Sequence, residues 1–357
     1  MATINDIAKY AGLSIATVSR ALNKPELVHA DTRERVMQAA RKLNYFDHDK
    51  TKWLHAKNKK SSLAVIIPYI TSFYFGELYG GISRTAMENN IELLLYELKS
   101  EDKNKEGIAK AFSFVEQHLV DGIILASCFV SDDYDELIEH LRIPVVLVLD
   151  SHENAKLPAF KVDDVRASFD AVSYLVSRGH QRIGMISALP SQHDRSEQLR
   201  WRGYKNAIDF YRLPFEDSFV AYGDMRFDDG YAAMKQLLAC LGGSGITAVF
   251  AASDEMAIGA MRAIHDAGLR VPADISVIGY DNLSVGNITT PTLTTVEQPF
   301  GSIGVESVKY MAGLLGDHAN QIPAKGNFYM PYRIIERESV ADISAAASQL
   351  RKEGANA

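Results

Sequence analysis

The chain has 357 residues, 47% hydrophobic and 23% charged, which exceeds one ordinary domain and suffices for a large buried core. No run approaches the ~18 apolar residues of a membrane span, and MATINDIAKYAG lacks the apolar stretch of a signal peptide. A cytoplasmic protein is therefore expected, with no membrane partner. Its two cysteines, Cys128 and Cys240, lie far apart beside apolar segments, so buried thiols are expected, with no metal centre and no cofactor.

The net charge of −7 hides an asymmetry. Residues 1–60 hold twelve Lys and Arg against six Asp and Glu, while the remainder holds 26 basic against 39 acidic residues. A basic head on an acidic body implies that only the head meets a polyanion. The head opens with Thr3-Ile4-Asn5-Asp6, a Ser/Thr-x-x-acid helix start. Ile4, Ile7, Ala8 and Ala11 then share one helical face. Gly12 ends that helix at a turn favouring positive φ, and Ser14 is placed to cap the next. The second helix sends Val18, Ala21 and Leu22 inward and presents Ser14, Ala16, Thr17, Ser19 and Arg20 outward. Ile15 shares the face of Val18 and Leu22, yet stands in the first turn where a side chain can overhang the helix end. Asp31-Thr32-Arg33-Glu34 starts a third helix with Val36, Ala39, Ala40 and Leu43 on its apolar side. Three short helices with a glycine turn between the first two form a helix-turn-helix unit. Short hydroxyls allow close approach to phosphates, and an arginine can contact a guanine edge or a phosphate.

The stretch TINDIAKYAGLSIATVSRALN closely resembles the N-terminus of the lactose/galactose repressor (LacI/GalR) family of bacterial transcription regulators. The resemblance makes Ile15 and Ala16 the variable pair that reads base edges, with Arg20 one turn on and Thr3, Asn23 and the hydroxyls beside them at the DNA. Apolar side chains at Ile15 and Ala16 match thymine methyl groups. The segment YFDHDKTKWLHAKNKKSS, residues 45–62, reads by itself as a polar linker. By resemblance it is a hinge helix whose Leu54 wedges into the minor groove at the operator dyad. It departs from the family pattern at Asp47 for Pro, His48 for Asn, Thr51 for Ala and Lys52 for Arg.

From residue 63 short apolar runs alternate with helix-length segments: LAVII (63–67), IELLLY (91–96), DGIILA (121–126), VVLVL (145–149), RIGMIS (182–187), ITAVFAA (246–252) and ISVIG (275–279). Continuous Val/Ile/Leu runs of this kind are parallel strands covered on both faces. The fold class is thus an all-α helix-turn-helix head plus an α/β body of two doubly wound parallel-sheet lobes, similar to periplasmic binding proteins. Ligands in such folds bind beyond the carboxyl ends of the strands. Tyr74, Phe75, Asp150, Ser253-Asp254 and Asp281 follow such runs, although each Asp also reads as a helix cap, Asp254, Asp163–Asp164 and Asp228–Asp229 above all. TSFYFGELYGGI, LRWRGYKNAI, TAVFAASDEMAIGAMRAIHDAGLRVPADISVIGYDN and PTLTTVEQPF resemble the effector-binding core of the same family. The resemblance implies that Arg200 and Asp281 hold ligand hydroxyls, that Tyr74 and Phe75 line the first-lobe wall, and that Asp150, Met225, Ser253, Gln298 and Phe300 complete the pocket. Met225 replaces an aromatic platform, Ser253 stands where Asn is frequent, and Ser151 stands where Arg often follows the Asp.

The expected organisation is a head over 1–45, a hinge over 46–61, a body over 62–340 and a tail over 341–357. Lobe 1 is expected to span about 62–160 and 291–322, and lobe 2 about 161–290 and 323–340, so the chain crosses near 160, 290 and 322. The tail ADISAAASQLRKEGANA lacks leucine heptads, which points to a homodimer. Together these readings imply a repressor of carbohydrate-utilisation genes that binds a pseudo-palindromic double-stranded operator under control of a sugar-like effector. The alternative is a cytoplasmic sugar-binding protein with impaired or no operator binding. No GxxxxGK[ST], strand-linked GxGxxG, HExxH or GxSxG motif supports an enzyme, and His180 reads as a helix-end residue rather than a base.

Overall fold

The structure, a computed structural model, describes residues 3–23, 28–43, 61–68, 70–98, 105–188, 195–316 and 325–344. Leu54, the hinge segment and nearly all of the tail lie outside the described residues. The chain divides into two compact units, Met1–Ser61 and Ser62–Ala357.

Among the described residues the first unit is three helices, α1 (Ile4–Ala11), α2 (Ile15–Asn23) and α3 (Ala30–Lys42). The α1 start is a reciprocal cap: the Asp6 amide donates to Thr3 Oγ1 (3.3 Å), and the Thr3 amide donates to Asp6 Oδ2 (2.7 Å). Gly12 ends α1 in the left-handed region at φ 63°, where a Cβ would be strained. Ser14 Oγ accepts from the Thr17 amide (3.1 Å) and so caps α2. The third helix begins one residue before the expected Asp31, which falls in its first turn. Ile7, Ala8, Val18, Ala21, Val36, Ala39 and Ala40 close the core of this unit.

In the second unit each lobe carries a six-stranded sheet. The first lobe contributes β1 (Ser61–Pro68), α4 (Phe73–Glu88), β2 (Ile91–Leu98), α5 (Lys105–His118), β3 (Gly122–Ala126), α6 (Asp135–Leu141), β4 (Val145–Val148) and β5 (Pro158–Lys161). The second contributes α7 (Asp164–Ser177), β6 (Ile183–Ala188), α8 (Arg195–Phe210), β7 (Val220–Gly223), α9 (Phe227–Ser244), β8 (Ala248–Ala251), α10 (Asp254–Asp266), β9 (Ser276–Asp281) and β10 (Thr294–Glu297). The chain then returns to the first lobe as α11 (Phe300–Leu315) and β11 (Gly326–Tyr329), and ends in the second with β12 (Arg333–Ile335). Sheet orders are β11-β5-β4-β3-β1-β2 and β12-β10-β9-β8-β6-β7, with β12 antiparallel to β10.

The two-sided burial inferred from continuous apolar runs is literal. Along β1, Leu63, Val65 and Ile67 enter one core while Ala64 and Ile66 enter the core on the opposite face. Strands β5, β7, β10, β11 and β12 had no such run, being three or four residues long and partly polar.

They also correct the lobe boundaries. The second crossing follows β10, beyond Glu297 rather than near 290, because β10 pairs with β9 in register Thr294↔Ile278 through Glu297↔Asp281. The third follows β11, between Tyr329 and Arg333 rather than near 322. Thr294 and Thr295 sit fully buried in β10 because their hydroxyls are satisfied inside the lobe, Thr294 Oγ1 by the Arg337 amide and Thr295 Oγ1 by Asp254. A threonine-rich stretch between prolines therefore becomes a strand only once those partners are in place.

Helices α9 and α10 approach closely through glycine. A Cβ on Gly259 would fall 2.0 Å from the Phe227 carbonyl oxygen, and one on Gly230 would fall 2.2 Å from that of Met256. Gly259→Ala is expected to destabilise the body by about 1–3 kcal/mol through overpacking, read as a lower urea midpoint with an unchanged slope.

Candidate functional site

In the first unit α2 presents the expected surface. Ser14, Ile15, Ala16 and Arg20 are exposed, Thr17 and Ser19 are half-buried, and Val18 and Ala21 face the core. Ile15 is 54% exposed, which resolves its ambiguity in favour of the outward position: its side chain overhangs the first turn. Thr3 is exposed at the α1 cap, and the Asn23 side chain lies outside the described residues.

In the second unit the carboxyl ends of both sheets converge on a cavity of about 100 Å³. Of the expected residues, Tyr74, Arg200, Met225, Ser253, Asp281, Gln298 and Phe300 line it. Phe75 and Asp150 do not. Phe75 turns into the core beneath α4, one position around the helix from Tyr74, with its ring 5.4 Å from that of Tyr79. Asp150 is buried, its Oδ1 accepting from the Ser151 amide (2.8 Å).

The first-lobe wall is aromatic. Tyr74 stacks on Phe300 with centroids 5.4 Å apart, and its Oη lies 3.1 Å from Ser127 Oγ. The second-lobe wall is charged and centres on Arg200, which α8 carries into the interior. Its Nε donates to Asp164 Oδ1 (3.1 Å), its Nη1 donates to the Ala252 carbonyl (2.6 Å) and lies 3.9 Å from Asp281 Oδ1, and its plane covers the Tyr280 ring at 4.0 Å. Burial opposes the Arg200 charge, but the carboxylates of Asp164 and Asp281 outweigh it and hold the guanidinium above its ordinary pKa. Asp281 accepts from Gln298 Nε2 (2.8 Å), yet burial pushes its pKa up to about 7.

Ser253, not Asp254, caps α10, accepting from the Met256 amide (3.2 Å). Asp254 points inward instead, accepting from the Leu283 amide (2.7 Å) and Thr295 Oγ1, and burial pushes it up to about 6. Asp163 is the cap of α7 as expected, leaving Asp164 to Arg200. Asp228 and Asp229 lie within the first turn of α9, whose cap position is Arg226. His180 follows the end of α7, and its ring bridges Thr247 Oγ1 (3.0 Å) and the Ala341 carbonyl (3.2 Å).

The cavity also takes in Ser72, Ser127, Leu149, Ser196, Asp224, Arg226 and Glu255, none of them expected. Ser127 directly follows β3, so the strand-end rule applied to every run would have found it. Asp224 and Arg226 follow β7, which had no recognisable run. Ser196 and Glu255 lie within helices, and no linear pattern marks them. Elsewhere in lobe 1, Asp132, Asp135 and His152 gather in a cluster, with the Lys156 ammonium against both carboxylates. Among the described residues no helix is long and apolar enough to cross a membrane.

A helix-turn-helix head on a two-lobed α/β body with a polar cleft defines a ligand-responsive DNA-binding regulator. Comparison with known proteins agrees. Residues 3–47 match the family described as bacterial regulatory proteins, lacI family, and residues 172–340 match the periplasmic binding protein-like domain. Catabolite control protein A of Priestia megaterium is 32% identical over 94% of this chain and 98% of its own. The transcriptional repressor CytR of Escherichia coli is 33% identical over 95% and 96%. The Lac repressor dimer bound to operator and the anti-inducer ONPF superposes with TM-score 0.72 at 27% identity, covering 95% of this chain and 99% of that one. The chain belongs to the LacI family of bacterial regulatory proteins, and it is a DNA-binding transcriptional regulator.

The raised Asp281 has a defined consequence for stability. The folded chain keeps this proton where the unfolded chain has lost it, so stability falls as pH rises from about 4 to about 7 and levels off above. Asp281→Asn removes that slope. Its melting temperature relative to the unaltered chain is expected to climb by several degrees between about pH 4 and about pH 8, measured by calorimetry in a low-salt buffer series.

Proposed function

We propose that this regulator is a homodimeric, cytoplasmic repressor of carbohydrate-utilisation genes and has no enzymatic role. Its operator affinity is set by a small polyhydroxylated effector bound between the two lobes of the body. The observation that carries this reading is the convergence of the Arg200–Asp281 pair and the Tyr74–Phe300 stack on one cleft. A charged pair offers directed hydrogen bonds to the hydroxyl edge of a sugar, while an aromatic surface covers its apolar C–H face. The Lac repressor compared above is a dimer holding both an operator and a small anti-inducer, which supports the same division of labour.

Three strand crossings join the lobes, so a ligand touching both walls favours one angle between them. It changes DNA affinity only by the difference in its affinity for the two arrangements. Two heads related by a two-fold axis require a pseudo-palindromic operator. In each head Ile15 and Ala16 offer apolar contact to thymine methyls, Arg20 reads a guanine edge or a phosphate, and Ser14, Thr17 and Ser19 anchor the backbone together with Thr3 and Asn23. Leu54 is assigned to the minor-groove wedge at the dyad.

Selection of binding sites from random duplex DNA, with and without a panel of sugars, tests the assignment. The expected result is a palindrome whose recovery one sugar alters. Arg20→Ala is expected to weaken the selected site by about 1–3 kcal/mol. Removal of residues 1–60 is expected to abolish DNA binding while calorimetric effector binding survives. Failure to select any site, with sugar binding retained, would favour the reading of a sugar-binding protein without operator function, for which the altered residues Asp47, His48, Thr51 and Lys52 are the motive.

A further inference from the structure

We infer that the body carries a second small-molecule site, outside the effector cleft, which takes a neutral polyhydroxylated molecule, a sugar or a polyol, against Lys161 and Asn327. The site is a cavity of about 140 Å³, against about 100 Å³ for the cleft, and the two share no lining residue. Lobe 1 supplies Ser151, Lys161, Asn327 and Tyr329 to its wall, and lobe 2 supplies Asp164 and Arg195. Lys161 ends the strand before the first crossing and Tyr329 the strand before the third, so a molecule held here spans the lobes beside two of their crossings.

Strand alternation at the edge of the first sheet brings these groups together. The edge strand β11 pairs with β5 in the register Asn327↔Ala159, Phe328↔Phe160 and Tyr329↔Lys161. Phe160 and Phe328 face one core, stacked with centroids 4.8 Å apart. Ala159 enters the core on the other side, so Lys161, Asn327 and Tyr329 share that second face.

Two polar atoms on this face lack the partners that burial demands. Lys161 is 2% exposed, and its ammonium meets Asp164 Oδ2 at 3.0 Å as an ion pair only. Among the described residues no acceptor stands in hydrogen-bonding geometry to it. Burial opposes the lysine charge, but Asp164 and Asp150 hold its pKa above the ordinary value, so it remains a cation and a donor. Asn327 Oδ1 is also buried, and no donor among the described residues reaches it. The His152 ring answers neither atom: its Nδ1 accepts from the Asn154 amide (3.1 Å), and its Nε2 faces Asp135 Oδ1 (2.9 Å). A hydroxyl meets both needs, accepting from the ammonium and donating to the amide oxygen. A phosphate dianion or a carboxylate cannot donate to Asn327 Oδ1, and an ammonium cannot accept from Lys161. Nor does the wall call for an anion, since the carboxylates of Glu153, Asp163 and Asp164 stand beside the cations Lys161 and Arg195. Tyr329, 59% exposed and directly opposite Lys161, offers its ring to the C–H face of a sugar or polyol. The volume admits a molecule of that size rather than a single water.

The test is a ligand-observed NMR titration of the full-length protein with glucose, ribose, myo-inositol and glycerol, and with inorganic phosphate as the anionic probe. It is run in a Tyr74→Ala background, which removes an aromatic wall of the effector cleft and leaves the second cavity untouched. The expected result is that a neutral probe still binds, and that adding Asn327→Leu or Tyr329→Ala weakens it by about tenfold. The exposed Tyr329 can be truncated without burdening the fold, and the melting temperature checks that Asn327→Leu is folded. Retention of glucose or ribose marks the ligand as a sugar, and retention of myo-inositol or glycerol marks it as a polyol. Binding that is lost with Tyr74 and indifferent to Asn327 and Tyr329 overturns the second site and leaves the effector cleft standing. Retained binding that neither variant weakens, or no binding by any neutral probe, overturns it as well. Phosphate as the sole probe sensitive to Asn327 and Tyr329 overturns the hydroxyl-bearing ligand.

Discussion

The body is organised around one buried guanidinium. Arg200 is 7% exposed, and a cation at that depth persists only when its charge and its donors are both matched. The match comes from three separate segments: Asp164 at the start of α7, the Ala252 carbonyl after β8, and Tyr280 and Asp281 at the end of β9. Tyr280 and Asp281 are held by pairing with β10, Ala252 by the hydrogen bond of its amide to the Ile186 carbonyl, and Asp164 by helix α7, so the arginine gathers partners fixed by different elements of the lobe. The ion pairs are poor evidence of net stability, because removing these charges from water costs about what their attraction returns. Their consequence is position: they fix the carboxyl ends of neighbouring strands around one cavity.

The same cluster reaches the place where the chain first changes lobe. Lys161 ends β5 in the first sheet, and its ammonium lies 3.0 Å from Asp164 Oδ2 in the second lobe. Burial opposes the lysine charge, while Asp164 and Asp150 together hold its pKa above the ordinary value. One carboxylate thus faces the cleft arginine on one side and a residue of the crossing on the other. Asp254 acts similarly near the second crossing, holding the Leu283 amide and Thr295 of β10. Asp164, which holds the cleft arginine, is therefore ion-paired with the last residue before the first crossing, and Asp254 is bonded to the strand that precedes the second.

The head follows a simpler logic. Its three helices are short, each stopped or started by a local device such as the Thr3–Asp6 cap, Gly12 or Ser14. Among the described residues seven buried side chains hold them together, most of them small. A core of that size leaves the outer face of α2 without packing duties, so its residues are free to be chosen by what they contact rather than by what they bury.

The head was therefore legible almost residue by residue: caps, glycine turn and helical periodicity are local signals, and the structure reproduces them to within one residue at α3. The seven apolar runs of the body were equally legible, because a strand covered on both faces has to be continuously apolar. Only tertiary structure decided the rest. Ile15 was ambiguous because periodicity cannot distinguish a core position from one overhanging a helix end. Phe75 follows Tyr74 in sequence but points into the core, since adjacent helical residues diverge by about 100°. The cap of α10 fell to Ser253 rather than Asp254, because a carboxylate beside buried β10 meets Thr295 and the Leu283 amide there, whereas the serine caps the helix while still lining the cavity. The short strands β5, β7, β10, β11 and β12 acquired their identity from partners distant in sequence, and with them the true crossings and the unexpected cleft residues Asp224 and Arg226. Sequence by itself determined what each local segment could form and the kind of chemistry the chain carries. Tertiary structure decided which polar groups share a cavity, because a buried polar group takes its position from bonding partners that lie far along the chain.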